Sequence, residues 1–263
     1  MFLLHRPFCR CLWVCLSLFA AVSLPAVMID EIQVYTDDVR DPGEFGLELH
    51  ANATPAGRSV PDYPGEIVPD HGVRLTAEFS YGLVPGLEIG AYLPFDYNPG
   101  AGPYLAGTKL RVKWLPLLPP EKEPGWFGGA NMELSYVGDR FELGRRVLEL
   151  RPIVGWRSDG WMAAFNPVLD KTLAGPERSL APDFAPSFKV GRRVARGIQV
   201  GVEYYADLGP VSDIAPLAQQ SHAVFLAADV DRAPWQFNVG VGRGLTGATD
   251  AWTVKAIFEV PLK

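Results

Sequence analysis

The chain has 263 residues and a formal net charge of −6, with 27 Gly and 24 Pro. The acidic balance argues against a nucleic-acid partner, which would need a basic face. So much Gly and Pro points to many turns rather than long helices, and 48% hydrophobic content suits water and lipid alike.

Residues 1–27 read as a secretory signal peptide. Arg6 and Arg10 precede the apolar run CLWVCLSLFAAVSLPAVM, and Ala21, Ser23 and Ala26 offer small residues for cleavage. A retained helical anchor is the competing reading, opposed by the Ser and Pro that interrupt the run. Removing the segment takes away two Arg and no acid, so −6 becomes −8. Cys9, Cys11 and Cys15 go with it, leaving no disulfide framework, thiolate metal site or thiol nucleophile. Residues 28–42 are then expected to form a periplasmic N-terminal segment, ahead of a barrel over 43–263.

From His71 to Phe95 the chain alternates. Val73, Leu75, Ala77, Phe79, Tyr81 and Leu83 take every second place, and after VPG so do Leu87, Ile89, Ala91, Leu93 and Phe95. A period of two over this length means a hairpin with one apolar and one polar face. The pattern recurs in segments near 43–53, 72–83, 86–96, 103–115, 125–137, 145–157, 160–170, 183–192, 197–208, 221–231, 234–243 and 250–261. Most are about ten residues, the length a tilted strand needs to cross a bilayer. An even number in one meander predicts an all-β, transmembrane, antiparallel up-and-down barrel of about 12 strands.

The connections alternate too. VPG, SDG, VAR and RAP are short; 54–71, 97–102, 138–144, 171–182, 209–220 and 244–249 are longer, the asymmetry of an outer-membrane barrel with short periplasmic turns. By strand parity Trp114, Trp126, Trp156, Trp161, Trp235 and Trp252 all lie on the apolar face. The first five sit beside the short turns and Trp252 at the long-loop end, as an aromatic girdle at two interfaces would be. The apolar face is therefore assigned to lipid.

The stretches FGLELHANATPAG, LRVKWLPL, LELRPIVGW, FNPVLD and WTVKAIFEVPLK resemble a Gram-negative outer-membrane β-barrel, and within that class the transporter-like barrels associated with the MetA pathway of phenol degradation. The resemblance covers most of 43–263 and implies passive passage of a small solute, hydrophobic or aromatic, through a barrel without enzymatic activity. It implies the outer membrane as location, with outer-membrane lipid, the solute and the assembly machinery as partners and no cofactor. Such barrels end on an aromatic residue, whereas this chain ends on Lys263.

The other face would line the lumen. It carries Glu48, Arg74, Glu88, Lys109, Arg111, Lys113, Glu133, Glu149, Arg151 and Glu203, with both signs interleaved. Two readings stand: a salt-bridge lattice bracing a narrow barrel, or a polar conduit in which Lys109, Arg111 and Lys113 form a basic ladder. Loop-centred counting predicts the pairs Glu88–Arg111 and Glu133–Arg151. Inward glycines could open the lumen or let long neighbours lie flat. Pro152, Pro167 and Pro186 fall inside three consecutive strands, where each removes a ladder donor; they mark either harmless bulges or a lateral opening.

Candidate chemistry is thin. His50, His71 and His222 all map to the long-loop end and could hold a metal only if their strands converge, so no metal site is assigned. Ser221 adjoins His222, but neighbours on a strand point to opposite faces, so no catalytic dyad is assigned. GRGLTG at 242–247 precedes a strand and reads as a turn. The rivals to a channel are a closed structural or adhesion barrel and, further off, a rim-active lipid hydrolase.

Overall fold

The alternating segments become the staves of one closed antiparallel wall. The computed structural model describes residues 31–120 and 123–261; the expected signal peptide lies outside them. The strands are β1 (Phe45–Ala56), β2 (Val73–Val84), β3 (Leu87–Asn98), β4 (Gly102–Leu105), β5 (Gly107–Leu117), β6 (Gly125–Val137), β7 (Arg146–Ser158), β8 (Trp161–Ala174), β9 (Asp183–Ala195), β10 (Ile198–Asp207), β11 (Ser221–Arg232), β12 (Trp235–Gly244) and β13 (Trp252–Glu259). β4 and β5 are one stave interrupted at Ala106, so the barrel has twelve. Each stave pairs with the next, and β13 returns to β1 from Glu48↔Glu259 to Ala56↔Trp252, leaving no free edge.

The side-chain distribution is inverted relative to a soluble protein. Leu75, Ile89, Leu110, Val112, Leu134, Val200 and Val202 are exposed, while Arg74, Glu78, Glu88, Arg111, Glu203 and Lys255 are buried. Burial here means facing the barrel's interior, and the outer surface is a belt of Leu, Val, Ile and Phe. All six girdle Trp project from that surface. A wall apolar outside and charged inside has its low-energy environment in a bilayer, where closure also satisfies the backbone. No helix among the described residues is long and apolar enough to cross a membrane, so crossing falls to the strands.

The interior contains a segment that strand parity did not anticipate. Residues 31–40 are extended without belonging to the sheet, yet Glu31, Ile32, Val34, Tyr35 and Asp37 are all buried. Arg40 sits at the short-turn end, where its guanidinium meets Glu48 and Glu259 and its N–H donates to Glu88. From there the chain climbs: Asp37 pairs with Arg157, Gln33 O accepts from Arg151, and Ile32 O accepts from Lys255. Ten extended residues span roughly 30 Å, about the depth of a hydrocarbon core. The expectation of a periplasmic segment over 28–42 is corrected for residues 31–40, which form a strap inside the lumen. Its apolar side chains find a core there, and interior cations satisfy its carbonyls.

Candidate functional site

The lower lumen is filled by ion pairs. Arg111 pairs with both Glu78 and Glu88, Lys113 reaches Glu88 at 3.4 Å, and His50 Nε2 lies 2.9 Å from Glu78. Across the barrel, Lys255 and Lys189 share Glu203, with Lys189 also 2.8 Å from Asp229. Arg74 stands 3.5 Å from Asp96 and covers the Phe141 ring at 3.8 Å. All ten residues expected to line the lumen sit on the inner face, among them Lys109 at 3.1 Å from Glu133 and Arg151 at 2.7 Å from Glu149.

Parity was legible, but register slipped by two. The sheet sets Glu88 opposite Lys113, so Arg111 reaches Glu88 on the diagonal. It sets Arg151 opposite Asn131 and Glu133 opposite Glu149, so the expected Glu133–Arg151 pair gives way to Arg151–Glu149 and Lys109–Glu133. The break at Ala106 and the lopsided loop after Val137 displace loop-centred counting by an even number, which leaves every side chain on its face. The inward glycines do not hollow the lumen. A Cβ at Gly155 would enter the Phe127 ring, and one at Gly242 would enter Phe225, so both admit aromatic side chains lying flat inside.

Tyr35 locks the strap at mid-height. Its N–H donates to Asn166 Oδ1 at 2.7 Å, Asn166 Nδ2 donates back to its carbonyl at 3.1 Å, and its hydroxyl meets that of Tyr92 at 2.9 Å. Val34 and Tyr35 pack with Leu115, Phe127, Ile153, Met162 and Ala164 in one apolar cluster, and Arg151 stacks over the Tyr35 ring at 4.6 Å. Asn166 is fully buried, and both its hydrogen bonds to the strap are made from β8.

Above the strap, at the long-loop end, lies a vestibule of about 290 Å³. Its wall includes Glu149, Asp170, Glu177, Asp183, Asp207 and Asp250, against Lys109 and Arg151, each of which already has a carboxylate. Asp170 and Asp183 face each other directly across β8 and β9. At the rim, burial and the Asp207 charge raise the Glu177 carboxyl above its ordinary range, and burial does the same to Asp250 despite its bond from the Arg58 N–H. Asp70, exposed on the long loop, is lowered by the Gly57 N–H and His71.

The wall beside this vestibule is not evenly zipped. Register places Pro152 directly opposite Pro167, and the β7–β8 ladder lapses between Leu150↔Leu169 and Val154↔Phe165. Pro167 is in turn opposite Pro186, where β8–β9 pairing runs unbroken from Trp161↔Arg192 to Asp170↔Asp183. That is consistent with alternating bonding edges: Pro167 lacks its donor toward β7, and Pro186 toward β10. The β9–β10 ladder stops at Ser187↔Tyr205 and resumes only where Phe184 bonds Leu208 and Gly209. Two seams therefore flank a paired panel, β8 and β9, whose inner face the strap holds.

Other candidates do not assemble. Glu48, His50 and Glu78 bring ligand atoms within 4.8 Å, but Arg40 and Arg111 occupy those carboxylates, so a divalent ion fits poorly. The three histidines do not converge: His50 is buried on Glu78, His71 is exposed beside Asp70, and His222 bonds Tyr204 at 2.6 Å and Gln220 at 2.8 Å. Ser221 contacts Thr249 rather than an imidazole.

No family model matches the chain, and no curated protein sequence does. Solved structures do. The COG4313 outer membrane channel from Pseudomonas putida F1 superposes with a TM-score of 0.57 at 11% identity, covering 88% of this chain and 100% of that one. What the two share is the fold, a closed antiparallel β-barrel. The KdgM porin aligns over 82% of this chain and 98% of its own with a TM-score of 0.48 at 9% identity, in a structure with disordered oligogalacturonate. At 11% identity the likeness to the first of these speaks to the barrel fold and not to a solute.

Proposed function

We propose that the protein is an outer-membrane barrel for passive passage of a small solute, entering at the long-loop vestibule and held closed at mid-lumen by its own strap. The observation that carries this reading is the vestibule of about 290 Å³, a size able to take a small molecule, at the mouth of a wall that is apolar outside and charged within. Long loops outside and short turns in the periplasm follow from the same reading. A hydrophobic or aromatic solute and a non-enzymatic role are what the resemblance to MetA-associated barrels suggests.

A closed structural barrel is the second reading, favoured by the ion pairs and the strap that fill the lumen. Conductance in planar bilayers separates the two. Val34→Ser with Tyr35→Ser removes the strap's apolar hold while leaving the wall unchanged. The channel reading expects rare brief openings in wild type and frequent, longer ones in the variant. Silence in both supports the structural barrel.

A further inference from the structure

The short-turn end of the barrel divides by charge. On the β1–β6 side Asp41, Glu44 and Glu123 are exposed, and Arg40 is engaged inside by Glu48 and Glu259. On the β8–β12 side Arg192, Arg193, Arg196 and Arg232 are all exposed. No ion pair engages any of the four among the described residues. Asp159 and Asp231 are the acids of this sector, and Asp231 accepts from Gln236 at 3.1 Å instead. Four unmatched guanidiniums in one sector stand out in a chain of net charge −6.

The turns that carry them are tied to one another. The Arg193 N–H donates to Gly160 O at 2.7 Å, joining the end of β9 to the β7–β8 turn. The Asp231 N–H donates to Gly197 O at 2.9 Å and Arg232 Nε to Arg196 O at 3.0 Å, joining the β9–β10 and β11–β12 turns. Gly197 is at φ +66°, and a Cβ there would come within 2.2 Å of the Asp231 carbonyl oxygen, so this approach requires glycine. These bonds hold Arg196 beside Arg232 although the two repel, a cost that a bound anion would offset.

Position selects the anion. By parity with Phe188 and Val190, Arg192 projects from the outer face, directly opposite Trp161 on β8 and Val200 on β10. Its guanidinium stacks over the Trp161 ring at 5.2 Å, at the level of the short-turn girdle. Arg232 stands opposite Trp235 on the same face. A soluble partner would meet the turns but not Arg192, which lies among the outward side chains at the membrane boundary. The anion available there is a lipid phosphate, which a guanidinium grips through two parallel N–H bonds, while Val190 and Val200 offer surface to acyl chains. At the long-loop end Arg146 over Tyr136 and Arg243 over Trp252 make similar stacks, but on separate strand pairs, β6–β7 and β12–β13.

We propose that Arg192, Arg196 and Arg232, with Trp161 and Trp235, bind the headgroup of an anionic phospholipid in the periplasmic leaflet. The site rests on the reading that puts the short turns in the periplasm, and not on passage of a solute.

The full barrel, purified in zwitterionic detergent, can be titrated with phosphatidylglycerol and phosphatidylcholine, and bound lipid counted by native mass spectrometry. Wild type should retain one phosphatidylglycerol about tenfold more tightly, the order that one or two basic residues supply at an anionic surface. Arg192→Gln/Arg196→Gln/Arg232→Gln should erase that preference, and Arg192→Lys/Arg196→Lys/Arg232→Lys should keep part of it. Arg146→Gln/Arg243→Gln should leave it intact. Equal retention of both lipids by wild type overturns the proposal even if no variant folds, as does a triple Gln variant that keeps the preference. Displacement of the lipid by equimolar glycerol 3-phosphate or oligoaspartate would assign the cluster to a soluble anion or an acidic protein, and overturns it too. The titration is blind to conductance and orientation. A barrel silent in planar bilayers that keeps the preference would sink passage and leave the site standing. Labelling of Asp159→Cys by an impermeant maleimide on intact cells would sink the orientation, and with it the phospholipid as occupant.

Discussion

The two halves of the wall solve the same problem differently. From β1 to β6 the ladders shift at Gly82–Val84, Ala106 and Trp114–Leu117, toward the barrel ends, and the inner charges are matched: Arg111 with Glu78 and Glu88, Arg40 with Glu48 and Glu259. From β7 to β10 two ladders lapse at prolines, and Asp170, Asp183 and Asp207 line one vestibule with no ion pair to any of them among the described residues. A barrel needs closure everywhere to satisfy its backbone, but it needs rigidity only where nothing passes. The first half is a brace. The second gives up bonding and charge balance at one place beside a cavity, a loss that natural sequences retain where function uses it.

The contrast breaks hardest at Arg111. Replacing it with Met leaves Glu78 to His50 and Glu88 to Lys113, with less cation than the two buried carboxylates need, and should cost about 3–5 kcal/mol in denaturant unfolding from lipid vesicles. The corresponding change in the other half, Asp170→Asn, removes a repulsion instead and should leave stability equal or higher. If both variants lose stability alike, the halves do not differ in charge balance.

The lipid face comes next. Val112→Arg near the middle of β5 should cost about 2–4 kcal/mol, whereas Trp126→Arg beside the short turns should cost about 0–1 kcal/mol as the guanidinium reaches the interface. Equal costs would contradict the placement of the girdle at the membrane boundary. The smallest effect belongs to the seam: Pro167→Val returns one donor to the β7–β8 ladder and should stabilise by about 1 kcal/mol, the net worth of a hydrogen bond. A loss of that size would mean that the prolines fit their bulge rather than open it.

The fold was legible because a period of two is a local signal. Val73 to Leu83 declare their face whatever they pair with, and short turns such as VPG join neighbours. The site was legible in part. Strand parity picks out Arg111 and Glu88 as inward but cannot say that Lys113 rather than Arg111 is Glu88's opposite residue, because register depends on how loops bulge. The prolines were visible as one residue in each of three consecutive strands; that Pro152, Pro167 and Pro186 fall in one row needs the register. The strap was missed entirely. EIQVYTDDVR alternates weakly and has no hairpin partner, so nothing in it tells an inner segment from a tail. Its one signal was Ile32, Val34 and Tyr35, apolar residues that a periplasmic linker has no reason to carry in sequence.

Amide hydrogen exchange on the barrel in lipid tests the division of the wall most directly. Peptides covering 151–154, 165–168 and 204–207 should exchange faster than those covering 75–80 and 109–113, and faster still when Val34→Ser/Tyr35→Ser frees the panel from the strap. Uniform protection around the whole barrel, unchanged by loosening the strap, would contradict the account.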